Sequence, residues 1–214
     1  MSLKTAGVAG LSAVALLASA GAVPIIRSDA TTAGRQAAAP HAPPGPPVAA
    51  AEIARAIDAS RPGPEQQWLA PLVGSWKMDL TWYSPSQAPL SLKGTSDNRW
   101  VLGGRLLLSE TAAGDGPVRV EGMTVLGYDA RERRFFALGL NNLGTGYQQW
   151  SGTYDPRDRS LILSGKQRDE ATGAASVSRQ QLKIEGPDRY SLRLFVDLPG
   201  RRPMRVAEAI FNRP

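Results

Sequence analysis

The sequence predicts an all-β protein: an antiparallel up-and-down β-barrel of about ten strands with a short N-terminal lead-in helix. Three observations carry this. From Gly74 onward, apolar residues alternate with period two. Clusters of Gly, Pro, Asn and Asp punctuate the alternation roughly every ten residues. No stretch between those clusters is long enough for a crossover helix, so consecutive strands must pair as hairpins. A meander of that length leaves two exposed edges unless it closes on itself.

Before the barrel, Met1 to Ala22 has the form of a signal peptide. Lys4 supplies a positive start, Val8 to Leu17 an apolar core, and Ala18-Ser-Ala20 and Ala20-Gly-Ala22 two small-x-small cleavage sites. The apolar run continues to Ile26, so the competing reading is an uncleaved membrane tether through residues 5–26. Its Ala/Gly-rich character and Pro24 favour cleavage. Both readings place the domain outside the cytoplasm: periplasmic, secreted, or membrane-anchored if the segment stays. Residues 23–63 form an Ala/Pro-rich linker, in which Pro40–Pro47 excludes helix and central strand alike. Within it, Ala51 to Ser60 can form a short helix with one narrow face of Ile53, Ala54 and Ile57. The barrel domain covers 64–214.

The lead-in runs from Pro64, whose missing N–H costs nothing in a first turn, to Leu72, with Trp68, Leu69 and Leu72 as its buried contacts. The first strand then places Trp76, Met78, Leu80 and Trp82 on one face. Ser84 to Pro89 separates it from Leu90–Leu102, where Gly94 suggests a bend or bulge. Gly103-Gly104 is a hairpin turn. Further strands are expected at Arg105–Ala112, Val118–Tyr128, Arg134–Asn141, Gly146–Tyr154, Ser160–Arg168, Val177–Ile184, Tyr190–Leu198 and Pro203–Asn212.

Composition excludes several function classes. There is no cysteine, which removes disulfides, thiolate chemistry and a cysteine-linked lipid anchor. The one histidine, His41, lies in the linker, so the folded domain has none for a Ser–His nucleophile or for metal or haem ligation. No metal and no cofactor are expected. The net charge of +6 comes from scattered arginines beside acids, not a basic stripe, so nucleic acid is not an expected partner.

Leu72-Val-Gly-Ser-Trp-Lys77 resembles the Gly-x-Trp opening of the calycins: lipocalins, fatty-acid-binding proteins and nitrobindin-like barrels. The short first connection departs from the helix pair of fatty-acid-binding proteins. The histidine-free barrel departs from nitrobindin, so haem is not carried over. Trp100-Val-Leu-Gly-Gly-Arg-Leu106 with Glu110, then Gly122-Met-Thr-Val-Leu-Gly-Tyr-Asp129, then Gly152-Thr-Tyr-Asp155, resembles a bacterial lipocalin-like domain family of unknown function. That resemblance covers about Gln67 to Arg213. It implies a barrel and brings no catalytic residue with it.

A closed barrel of about ten strands is too wide to fill with side chains, which predicts a cavity. Its expected lining includes Leu106, Leu108, Val125, Leu161, Leu163, Leu192, Leu194 and Val206. The candidate ligand-binding residues are Met78, Arg99, Trp100, Glu110, Met123, Asn141, Gln149, Trp150, Arg179 and Glu208. Among these the charged groups would hold a ligand's polar head. Gly74, Trp76 and Arg213 are the candidate latch, with Arg213 lying over the opening tryptophan as in calycins. The function expected is binding of a small hydrophobic or amphipathic molecule. The alternatives are a barrel enzyme of isomerase or cyclase type and a non-catalytic envelope interaction module.

Overall fold

The computed structural model describes residues 50–168, 175–198, 200 and 202–214. The expected signal and most of the linker, residues 1–49, lie outside them. Helix α1, Ala50–Ala59, belongs to a unit separate from the barrel unit that begins at Gly63. It is closed by Arg61, which pairs with Asp58 at 2.8 Å.

The barrel begins with a nine-residue 3-10 helix, Pro64–Leu72, at the expected lead-in. Pro71 lies inside it and cannot donate the bond that would continue an α-helix. Ten strands follow: β1 Gly74–Ser84, β2 Gln87–Val101, β3 Leu106–Ala113, β4 Val120–Asp129, β5 Arg134–Asn141, β6 Gln148–Asp155, β7 Ser160–Arg168, β8 Ala175–Gly186, β9 Arg189–Asp197 and β10 Met204–Asn212. Each is antiparallel to its sequence neighbours, and β1 pairs with β10 to close the barrel.

Several boundaries differ from expectation for local reasons. The β1–β2 connection is a tight turn, because Ser84 already pairs with Gln87. Pro89 is thereby drawn into β2, opposite the register shift between Trp82 and Ser84, where its missing N–H breaks no regular ladder. β4 starts two residues late because Gly116–Val118 forms a 3-10 turn. Gly94 is no bulge: pairing runs unshifted through it on both sides. A Cβ there would stand 2.1 Å from the Ala112 carbonyl oxygen, so glycine is required for strand approach rather than for a bend.

The lead-in helix covers the end of the barrel where β1 begins. Leu69 and Leu72 are 2% exposed there and join a core of Trp76, Leu107, Phe135 and Leu161. Trp68 stacks on Tyr154 with centroids 4.5 Å apart. The opposite end, where β2, β4, β6, β8 and β10 begin, is the mouth.

Gly152 is the tightest point of the wall, since a Cβ there would lie 1.8 Å from the Ile162 carbonyl oxygen on β7. Gly152→Ala should therefore cost about 3 kcal/mol and lower Tm by roughly 10 °C. Gly186→Ala, with open space at its Cβ, should be near neutral. Equal thermal midpoints for the two variants would overturn this account of the wall.

Candidate functional site

The inward face of each strand follows from the register. Met78 and Leu80 of β1, Leu107, Ser109 and Thr111 of β3, Thr124 and Leu126 of β4, Trp150 of β6, Gln180 and Leu182 of β8, and Leu192 and Leu194 of β9 enclose a cavity of about 230 Å³. Its floor is apolar, with Leu72, Met78, Leu107, Leu126, Leu161 and Phe211. Nearer the mouth the wall gains hydroxyls and amides: Thr111, Thr124, Asn141, Gln148 and Gln180. The lining holds two titratable groups. Glu121 is exposed at the rim and ion-paired to Arg119 at 2.7 Å. Tyr190 is buried at the floor. Gln148 also borders a second, more open groove edged by Tyr147, Gln149, Lys166, Arg168 and Asp197.

At the floor a hydrogen-bonded set replaces the water that the end of a helix would otherwise need. The Leu72 carbonyl accepts from Trp76 Nε1 and from Asn98 Nδ2, both at 2.8 Å. Asn98 also donates to the Tyr190 hydroxyl at 3.1 Å and accepts from Ser96 Oγ at 2.8 Å. Ser96 continues to Ser109 at 3.2 Å. Tyr190 stacks on Phe211 at 4.2 Å and meets Trp76 edge-on at 4.7 Å. The Arg213 guanidinium lies 3.8 Å over the Trp76 ring. Gly74, at φ +116°, leaves the space into which that guanidinium extends, since a Cβ would come within 2.3 Å of its Nη1.

Of the ten candidate ligand-binding residues, Met78, Asn141 and Trp150 line the cavity. Trp150 is fixed by donating from Nε1 to Ser178 Oγ at 2.6 Å. Trp100 shares the inward parity but packs on the core at the closed end, below the cavity. The other six do not line the cavity. Arg99 and Glu110 pair with each other on the exposed outer wall. Arg179 pairs with Asp197 at 2.8 Å, also outside. Glu208 is held on the outer face by Arg193 at 2.7 Å, Arg205 at 3.1 Å and Tyr83 at 3.3 Å. The Arg193 hydrogen bond holds its carboxyl below the usual range, against partial desolvation. Met123 and Gln149 face outward and are exposed. Among the described residues, no cluster of charged groups therefore enters the lumen.

The sequence reading missed Ser109, Thr111, Thr124, Gln148 and Gln180. A signal existed for two of them: Gln180 shares parity with Leu182 and Ile184, and Gln148 with Trp150. Among the described residues, the side chains of Gln180 and Thr124 have no hydrogen-bond partner. The buried Trp82 Nε1, on another cavity residue, also lacks one. Among the described residues no three His, Cys, Asp or Glu side chains are grouped as a metal site.

Comparison with known proteins bears on the fold. The chain belongs to the family described as "Protein of unknown function (DUF1579)", whose model matches residues 61–213. No curated protein matches. Among solved structures, the chain is similar to Rv2717c from M. tuberculosis, at 17% identity and TM-score 0.52, over 72% of this chain and 99% of that one. It is also similar to the S-type phycobiliprotein lyase CPES from Guillardia theta, at 13% identity and TM-score 0.49, over 70% and 92%. At 17% identity the likeness to Rv2717c concerns the barrel fold alone.

The floor network makes a pH prediction. Burial pushes the Tyr190 phenol up to about 12, against the lowering effect of the hydrogen bond from Asn98. Below pH 10 the phenol is neutral in folded and unfolded chains, and its full contribution is present. Between about pH 10 and 12 the unfolded chain ionises first, so stability falls by about 3 kcal/mol. The urea midpoint should drop across that window in the wild type, and that drop should shrink in Tyr190→Phe. An identical drop in both proteins would show that the slope has another source.

Proposed function

We propose that this member of the family is an exported binding protein that takes a small hydrophobic or amphipathic molecule into its barrel. The observation that carries the reading is the cavity of about 230 Å³, apolar at its floor and reached through a mouth with a neutral polar wall. Ligand sites are concave, mostly apolar and furnished with a few orienting polar groups. Burying a methylene there contributes about 0.8 kcal/mol, so a chain of about eight carbons supplies about 6 kcal/mol, which corresponds to an affinity of tens of micromolar at best. Export is supported by the apolar, small-residue N-terminus ahead of the Pro-rich linker. The enzyme alternative needs two titratable groups converging in the lumen, whereas the lining supplies Glu121 at the rim and Tyr190 at the floor, at opposite ends.

The test is displacement of an apolar fluorescent probe from the purified full chain, alongside native mass spectrometry of protein from its own host. The wild type should bind the probe at one site. Thr124→Phe, which projects a ring into the cavity from β4 while β4 keeps its register, should weaken the probe at least tenfold with an unchanged far-UV spectrum. Undiminished binding by a folded Thr124→Phe protein would place the probe elsewhere and remove the lumen as the site.

A further inference from the structure

The charge pattern of the lumen narrows the class of ligand, on the premise that the lumen is the binding site. We propose that the occupant is an uncharged amphiphile. Its apolar part points to the floor, and a hydroxyl, carbonyl or amide head meets Gln180 and Thr124.

Four observations converge on this. The lumen lining carries no cation. A carboxylate or phosphate brought inside would exchange its hydration for a wall with nothing to neutralise it. The titratable group nearest the mouth is an acid, Glu121, and its pairing with Arg119 at 2.7 Å leaves the pair neutral, with no net charge to hold either an anionic or a cationic head. On the outer wall, Arg179 is committed to both oxygens of Asp197, at 3.1 and 2.8 Å. Against this, Gln180 and Thr124 line the cavity with side-chain donor and acceptor atoms that nothing among the described residues satisfies. Both are neutral groups with both capacities, which a hydroxyl or amide matches and an ion does not. The split between apolar floor and polar upper wall sets the orientation. At roughly 30 Å³ for each water-sized unit, the cavity of about 230 Å³ holds on the order of eight heavy atoms. An eight-carbon chain is therefore a suitable probe.

The experiment titrates the full chain with octan-1-ol, octanoate and octylammonium at pH 4.5 and 7.5 by displacement of the fluorescent probe. The proposal expects octan-1-ol to bind equally at both pH values and octylammonium to bind at least tenfold more weakly. Octanoic acid should bind at pH 4.5 in its protonated form. Its affinity should fall by at least about a hundredfold at pH 7.5, because the site takes only the neutral acid, whose ordinary pKa is about 4–5. Gln180→Leu should weaken octan-1-ol about fivefold and leave 1-bromooctane unchanged. Octanoate binding that is independent of pH would overturn the proposal. If Lys166→Gln then abolished that binding, an anionic head would be assigned to the neighbouring groove instead. Tighter binding of octylammonium than of octan-1-ol would overturn it in favour of a cationic head at Glu121. Failure of octan-1-ol and 1-bromooctane alike to displace the probe would sink the lumen reading itself, an outcome distinct from a wrong head group.

Discussion

Closure of β1 against β10 is the contact on which the cavity depends. Nine of the ten seams join strands adjacent in sequence. The tenth brings together the two ends of the domain, pairing Lys77–Trp82 with Ala207–Asn212. Closing so long a loop costs about 4 kcal/mol in chain entropy before any contact forms. The side chains that offset it lie at one end of that seam. Arg213, just past β10, covers Trp76 of β1, while Tyr190 of β9 touches both Trp76 and Phe211. Gly74 gives the guanidinium its room, and its positive φ turns the chain from the lead-in helix into β1. Without that seam β1 and β10 would be open edges, and the residues now facing the lumen would face water.

The same cluster explains why the barrel has one closed end. The Leu72 carbonyl, left over at the end of the lead-in helix, is taken up by Trp76 and Asn98 from two different strands. The helix is thus fastened to the wall through its own terminal acceptor, with Leu69 and Leu72 filling the space beneath it. Asn98 is a polar group buried in a core, tolerable because its oxygen and its amide nitrogen are both engaged. Closure of the seam and plugging of the end therefore share residues. Damage to one should propagate to the other.

The architecture was largely legible in the sequence, because ten alternating stretches and their turns leave few other solutions. The inward face was legible only where it is apolar. In β1, β7 and β9 the alternation names Met78, Leu163 and Leu194 correctly as lining. In β3 three consecutive leucines, Leu106 to Leu108, satisfy either phase. The structure selects Leu107, against the expected Leu106 and Leu108. In β4 the pattern is inverted: Met123 is exposed outside while Gly122, Thr124 and Leu126 face in. A strand that borders a cavity instead of a packed core carries small and polar residues on its inner face, so hydrophobicity alone assigns it backwards. Gly94 was misread for a related reason. Period-two reasoning sees a missing side chain as a bend, while the structure uses it to let strands approach.

The misplaced charges carry the functional lesson. Arg99, Glu110, Arg179 and Glu208 drew attention because charged residues within strands are unexpected if both faces are buried. A barrel wall has one face in water, and there these residues form cross-strand pairs: Arg99 on β2 with Glu110 on β3, Arg179 on β8 with Asp197 on β9, Arg193 on β9 with Glu208 on β10. Such exposed pairs contribute about 0–1 kcal/mol each, so their arrangement bears on strand register and solubility more than on stability. Their consequence for the interior is larger. By spending its arginines and acids on the outside, the fold leaves a lumen whose polarity consists of hydroxyls and amides. Under the proposed binding function, such a wall would orient a ligand without fixing an ion and would discriminate among molecules of similar size by charge.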